Sequence, residues 1–206
     1  MELLLPMEET TEDIYNRQLA DPIAIATHAE LADRKVWLGD VDSDLINKIT
    51  RWFLLWAKED KGKPIEDRKP IRVYIYSYGG DLDMTMQIID LMQCSKTPVY
   101  TYAMGCACSA GAFIFLGGEK RFILPRCNLL FHQGSGGSEG TFDQVQSQNA
   151  HYKLRIKLLQ EFCLERMNIQ KQVFSKKWKS EWYLSSEEAL KYGVATDIIS
   201  DLDSIV

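Results

Sequence analysis

Residues 71–118 read IRVYIYSYGGDLDMTMQIIDLMQCSKTPVYTYAMGCACSAGAFIFLGG, and their division into two similar halves decides the fold. The first half opens with a β-branched and aromatic run, IRVYIYS, that halts at Gly79 and Gly80. Beyond that pair, Leu82, Met86, Ile89 and Met92 recur at helical spacing and mark one buried face. The second half repeats the plan: PVYTYAMG is a strand, CACSAGA a turn of small residues, and GAFIFLGG the start of an apolar helix. A third pass begins with RFILP and NLLFHQG. Strands that alternate with helices predict βαβ units and a mainly parallel sheet.

Working outward from this centre, Val36 to Leu38 is a short apolar run ended by Gly39 and Asp40, a first strand leading into a helix. Asp42 or Ser43 stands where that helix needs a cap, and Leu45, Ile46, Ile49, Phe53 and Trp56 describe its buried face. Residues 58–70, KEDKGKPIEDRKP, are charged and carry Gly62, Pro64 and Pro70, which makes them an exposed loop. Residues 134–140, GSGGSEG, are too glycine-rich for regular structure. The segment from Thr141 to Met167 is helical in pattern, with so few large apolar residues in its first half that it is expected to project. Leu154, Leu158, Leu159 and Phe162 would let its later portion dock against the body or a partner. In YLSSEEALKYGVATDII, Ser185 or Ser186 caps a short helix, Gly193 ends it and a strand follows. The first thirty or so residues are polar, acidic and broken by Pro6 and Pro22, an arm that orders only against something else, such as another subunit.

Composition narrows the function classes. With 206 residues, 46% hydrophobic and 26% charged, the chain is long enough to bury a core as one domain, 1–206. Its 29 acidic against 24 basic residues argue against a nucleic-acid surface, and the short basic cluster Lys176, Lys177 and Lys179 reads as a solvated face. No apolar run reaches the roughly 20 residues of a membrane-spanning helix. The opening MELLLPMEETTEDIY lacks both a basic segment and a full apolar core, so no secretion signal is expected. The five cysteines, Cys94, Cys106, Cys108, Cys127 and Cys163, show neither disulfide-framework nor zinc spacing. A reducing cytoplasm, no metal and no cofactor are the expectation. Cys106 and Cys108 read as small buried residues.

In open parallel sheets, reacting groups gather beyond the carboxyl ends of strands. Three such ends are Gly79 with Gly80, Ser109, and His132. A serine hydroxyl attacks only when a base takes its proton, and histidine is the usual base. Ser109 lies among Gly105, Ala107, Ala110 and Gly111, which leave room for a substrate backbone and open a helix whose N-terminus favours developing negative charge. Acyl transfer also needs two donors on the oxyanion, and the backbone N–H groups of Ala110 and Gly80 are the candidates. The bland alternative is a helix-capping serine and a core histidine that never meet. His28, in the arm, and His151, mid-helix among polar neighbours, lie at no strand end and read as surface residues.

Three segments, SYGGDLDMTMQIIDLMQ, YAMGCACSAGAFIFLGGEKRFILPRCNLLFHQG and YLSSEEALKYGVATDII, resemble in order and spacing the motif blocks of the Clp protease proteolytic subunit. The resemblance runs from about Ile14 to Ile199. It implies a crotonase-like ββα superhelix with a mainly parallel sheet and a projecting handle helix, the handle region covering residues 134–168. It also implies a serine endopeptidase with Ser109 as nucleophile, His132 as base, and Gly80 and Ala110 as oxyanion donors. The implied assembly is a homo-oligomeric heptameric ring, stacking in pairs to a tetradecamer, fed with unfolded polypeptide by an AAA+ ATPase unfoldase.

Five positions depart from that pattern. Glu181 stands where the family carries its triad aspartate, one methylene longer, and the alternatives for holding the histidine ring are a backbone carbonyl or Asn128. Lys179 and Ser180 replace an Asp-Arg type pair that resembles a contact between rings. Tyr78 and Gly134 replace prolines on either side of the cleft. Other readings compatible with the sequence are an inactive ring subunit, a capsid maturation peptidase of phage type, and an acyl-CoA enzyme of the crotonase superfamily. The last needs no Ser-His pair, and the FHQG block argues against it.

Overall fold

The computed structural model describes residues 22–205. The arm expected over residues 1–30 therefore lies, as far as residue 21, outside the described residues. The chain divides into two compact units, residues 1–35 and 36–206. In the first, the described residues form a helix, α1 (Pro22–Ala32), followed by a turn in which Arg34 adopts a φ of 55°.

The second unit is a mixed α/β structure around a seven-stranded, mostly parallel sheet. Its elements are β1 (Lys35–Leu38, starting at the junction), α2 (Ser43–Glu59), β2 (Ile71–Ser77), α3 (Leu82–Cys94), β3 (Val99–Cys108) and α4 (Ala110–Gly117). There follow β4 (Lys120–Ile123), β5 (Asn128–Phe131), α5 (Phe142–Arg166), α6 (Lys171–Lys177), β6 (Trp182–Leu184), α7 (Ser186–Lys191) and β7 (Asp197–Ile198). The caps follow from residue chemistry. The side chains of Asp42, Asp81, Thr141 and Ser185 accept from the first-turn N–H groups of α2, α3, α5 and α7, and Gly193 takes the left-handed φ of 66° just past α7.

The strand order is β1-β2-β3-β4-β7, with β5 joined to β3 and β6 to β5. The central strand β3 pairs along one edge with β2 and divides its other edge: Tyr100–Ala103 pair with β4, and Cys106–Cys108 with β5. The pairings of β3 with β2, β4 and β5 and of β4 with β7 are parallel, and that of β5 with β6 is antiparallel. The segment Cys106–Cys108, expected as a turn, instead completes β3. Its small residues permit this, since Gly105 lies so close to the Tyr76 ring that a Cβ would sit 3.1 Å from it. The register also slips here, from Ile75↔Ala103 to Ser77↔Ala107, as a bulge on β3 absorbs the bend. The run GAFIFLGG makes up most of the short apolar helix α4.

Every residue of α4 is buried, which explains its uniformly apolar sequence. Phe113 meets Phe131 at 5.3 Å and Trp178 at 5.8 Å between ring centres. The carbonyls at its C-terminus are taken up by two arginines. Arg166, the last residue of α5, donates to the carbonyls of Leu116, Gly117 and Gly118, and Arg121 to those of Gly118, Gly193 and Val194. Trp37, Tyr74, Tyr102 and Phe122 stack in a row across β1 to β4, with centroids 4.7 to 5.0 Å apart. Along α5 only Leu159 and Cys163 are buried, both in its second half, while Leu154 and Leu158 are exposed. Among the described residues no helix is long and apolar enough to cross a membrane.

Candidate active site

The split pairing of β3 gathers the site. Because β2 and β5 both run parallel to β3 beside its second half, the segments that leave all three strands emerge at one edge of the sheet. Those segments carry Gly79 with Gly80, Ser109, and His132.

Ser109 occupies the sharp turn from β3 into α4 with φ 52° and ψ −120°, outside the wells that L-residues ordinarily occupy. Such a conformation costs on the order of 1–3 kcal/mol and persists only when its surroundings hold it. Here they do: the Ser109 N–H donates to the Leu130 carbonyl at 2.8 Å, and the Ser109 carbonyl accepts from Ala112 and Phe113 at 3.0 and 3.1 Å. The hydroxyl is thereby excluded from capping its own helix. Its Oγ lies 2.7 Å from Nε2 of His132, the residue directly after β5. With the ring proton on Nδ1, Nε2 accepts from the serine hydroxyl, the geometry in which a proton leaves oxygen as it attacks.

The turn after β2 closes against this pair. A Cβ on Gly79, which has a φ of 128°, would stand 2.9 Å from the Ser109 Cβ, and one on Gly80, at φ 146°, would overlap the carbonyl of Val41. Glycine is therefore required at both. Gly80 and Ala110 line the same cleft as Ser109 and His132. Ala110 opens α4, so its N–H has no acceptor within the helix and points where an anion would be welcome. The cleft holds about 470 Å³, with apolar walls from Leu82, Phe113, Leu130 and Leu159. Tyr152 on α5 closes it, donating its hydroxyl to the Gln133 carbonyl at 3.1 Å.

Cys108, next to Ser109, does not compete as a nucleophile. Burial, followed by the neighbouring Cys106, pushes its thiol up to about 11, so it stays protonated near neutrality, and the thiolate is the reactive form.

Glu181 stands apart from the other four candidates. Its carboxylate accepts from the Tyr183 hydroxyl at 3.1 Å, and among the described residues no hydrogen bond joins it to His132. That carboxylate holds the Tyr183 phenol above its ordinary range. Asn128, the other side chain considered for the ring, begins β5 four residues before His132, on the order of 13 Å away along a strand. His28 lies in α1 and His151 is exposed on α5.

Two contributors were not read from the sequence. Tyr152 shares a helical face with Leu159, a spacing that could have marked it as a wall of the cleft. Asp40 carries no sequence signal at all, yet its carboxylate accepts from the Tyr78 N–H at 2.7 Å at the start of the glycine turn.

The family model described as Clp protease matches residues 23–201, a stretch that takes in all of these residues. With most of its length matched and this fold beneath it, the chain belongs to the Clp protease family.

Proposed function

We propose that this chain is a serine endopeptidase, the proteolytic subunit of a Clp-type protease acting on unfolded polypeptide. The observation that carries the reading is the 2.7 Å contact between Ser109 Oγ and His132 Nε2, made at a turn strained enough to expose the hydroxyl. In this mechanism Ser109 Oγ attacks the scissile carbonyl carbon while its proton passes to His132 Nε2. The carbonyl oxygen becomes an oxyanion held by the N–H groups of Gly80 and Ala110. Collapse breaks the C–N bond, and His132 gives the proton to the departing amine. Water then attacks the acyl-enzyme, His132 takes its proton, and release of the acid restores the Ser109 hydroxyl.

Glu181 is the acid we assign to orient the imidazole and stabilise its charged form, and its extra methylene gives it the reach. Leu82, Phe113, Leu130 and Leu159 give the cleft an apolar wall on which a hydrophobic side chain could rest beside the scissile bond. The working form in this reading is a heptameric ring, single or stacked in pairs, in the cytoplasm, fed by an AAA+ ATPase. A catalytically silent ring subunit would have no use for the strained serine, the paired histidine and the two glycines together.

The test is hydrolysis of fluorogenic peptides and of an unfolded protein by assemblies of matched size. Wild type is expected to cleave, and Ser109→Ala to lose at least about a thousandfold in rate while assembling normally. Equal rates in the two would overturn the assignment.

A further inference from the structure

We propose that Asp40 is a positioning residue for the oxyanion turn, acting through the backbone N–H of Tyr78. The inference rests on the peptidase reading for its catalytic meaning, though not for its structural content.

The segment Gly39–Asp42, which links β1 to α2, lies against the Tyr78–Asp81 turn and is fastened to it on both sides. Asp40 Oδ1 accepts from the Tyr78 N–H at 2.7 Å. The Val41 N–H donates to the Gly79 carbonyl at 2.7 Å, and the Asp81 N–H donates to the Val41 carbonyl at 2.9 Å. Val41 and Gly80 form an isolated parallel bridge, and Gly80 is pressed so closely to Val41 that no Cβ fits between them. Three hydrogen bonds thus bracket the Gly80 N–H, the group assigned to the oxyanion, without using it.

The two bonds made by Val41 are backbone bonds that any residue could supply. The bond from Asp40 is different: it is the only one of the three that a side chain makes, and it fixes the start of the turn. An N–H to carboxylate bond is short and about twice as strong as a neutral one. It is available because residue 78 is tyrosine, since a proline there would have no N–H to give. Gly79 and Gly80 both occupy left-handed φ values of 128° and 146°, where glycine has its widest freedom, so the turn needs restraint from outside itself. Asp40 lines none of the cleft and touches no reacting atom. Its effect is on the orientation of the peptide plane that carries the Gly80 donor, and a small error there weakens the transition state more than the ground state.

The experiment compares Asp40→Ala and Asp40→Asn with wild type in two readouts, on assemblies of confirmed size and melting temperature. For peptide hydrolysis, Asp40→Ala is expected to lower kcat about tenfold with KM nearly unchanged, and Asp40→Asn, which keeps the acceptor, to recover most of the loss. For amide exchange read by mass spectrometry, Asp40→Ala is expected to speed exchange in peptides covering the Val41 and Asp81 amides, and Asp40→Asn to leave it near wild type. A wild-type kcat in Asp40→Ala overturns the proposal, and so does an equal loss in both variants or a loss carried by KM alone. If wild type itself hydrolyses nothing, the peptidase reading fails, and the exchange readout still decides whether Asp40 holds the turn.

Discussion

His132 directly follows β5 and Glu181 directly precedes β6, its antiparallel partner strand. The antiparallel register pairs Leu129 with Leu184, Leu130 with Tyr183 and Phe131 with Trp182, and continuing it by one step would set His132 opposite Glu181. Residues directly opposite in such a pair share a face, with Cβ atoms about 5 Å apart. Tyr183, two residues on from Glu181, lies on that face too and holds its carboxylate by a 3.1 Å hydrogen bond. In the proposed mechanism the acid would turn from Tyr183 to His132, so the two compete for it.

That competition predicts opposite effects from two substitutions. Glu181→Ala should lower kcat about 10- to 100-fold, because the imidazole loses the group that fixes its tautomer. Tyr183→Phe, which removes only the competing hydroxyl, should raise kcat about two- to fivefold. Steady-state kinetics on both variants checks this. A Tyr183→Phe enzyme slower than wild type would mean that the hydroxyl steadies the acid rather than diverting it.

Much of this arrangement was legible in the sequence, for physical reasons that differ by element. The strands before Gly79, Ser109 and His132 run toward a glycine pair, a stretch of small residues and a glycine-rich segment, which marked where their carboxyl ends fall to within a few residues. The caps at Asp42 and Ser185 follow from local chemistry alone. What could not be read was set by long-range pairing. The continuation of β3 through Cys108 depends on β5 arriving beside it, and periodicity within β3 carries no trace of that. Asp40 reaches Tyr78 across 38 positions of chain, and Tyr183 holds the Glu181 carboxylate by a side-chain hydrogen bond. The arm, as far as residue 21, lies outside the described residues.

The junction of α4 with α5 carries a stability prediction. Arg166 donates to the Leu116 carbonyl at 3.1 Å and to that of Gly117 at 3.3 Å, acceptors that helix geometry leaves without a partner. Arg166→Ala should destabilise the fold by about 1–3 kcal/mol, seen as a lower urea midpoint at unchanged slope. Arg166→Lys should recover only part, because one ammonium cannot reproduce the guanidinium fork. An unchanged midpoint in Arg166→Ala would remove the arginine from the account of what holds the nucleophile helix.

Alkaline pH should weaken the fold through Cys127. Burial is the main cause that pushes this thiol from 9.0 up to about 12. In the unfolded chain the thiol ionises near 9, whereas the folded state keeps it protonated, so the unfolded state binds fewer protons over that window. The stability that depends on the neutral thiol is complete below pH 9 and is lost as pH rises toward 12. Urea midpoints measured from pH 8 to 11 should fall more steeply in wild type than in Cys127→Ala. Parallel profiles would show that the buried thiol contributes nothing to the decline.

The central claim, an activated Ser109, is tested most directly by intact-mass measurement after exposure to a fluorophosphonate probe, on wild type and Ser109→Ala of matched assembly. One adduct per subunit on wild type and none on the variant is the predicted result. Equal labelling of both, or no labelling of a well-formed wild-type ring, would contradict it.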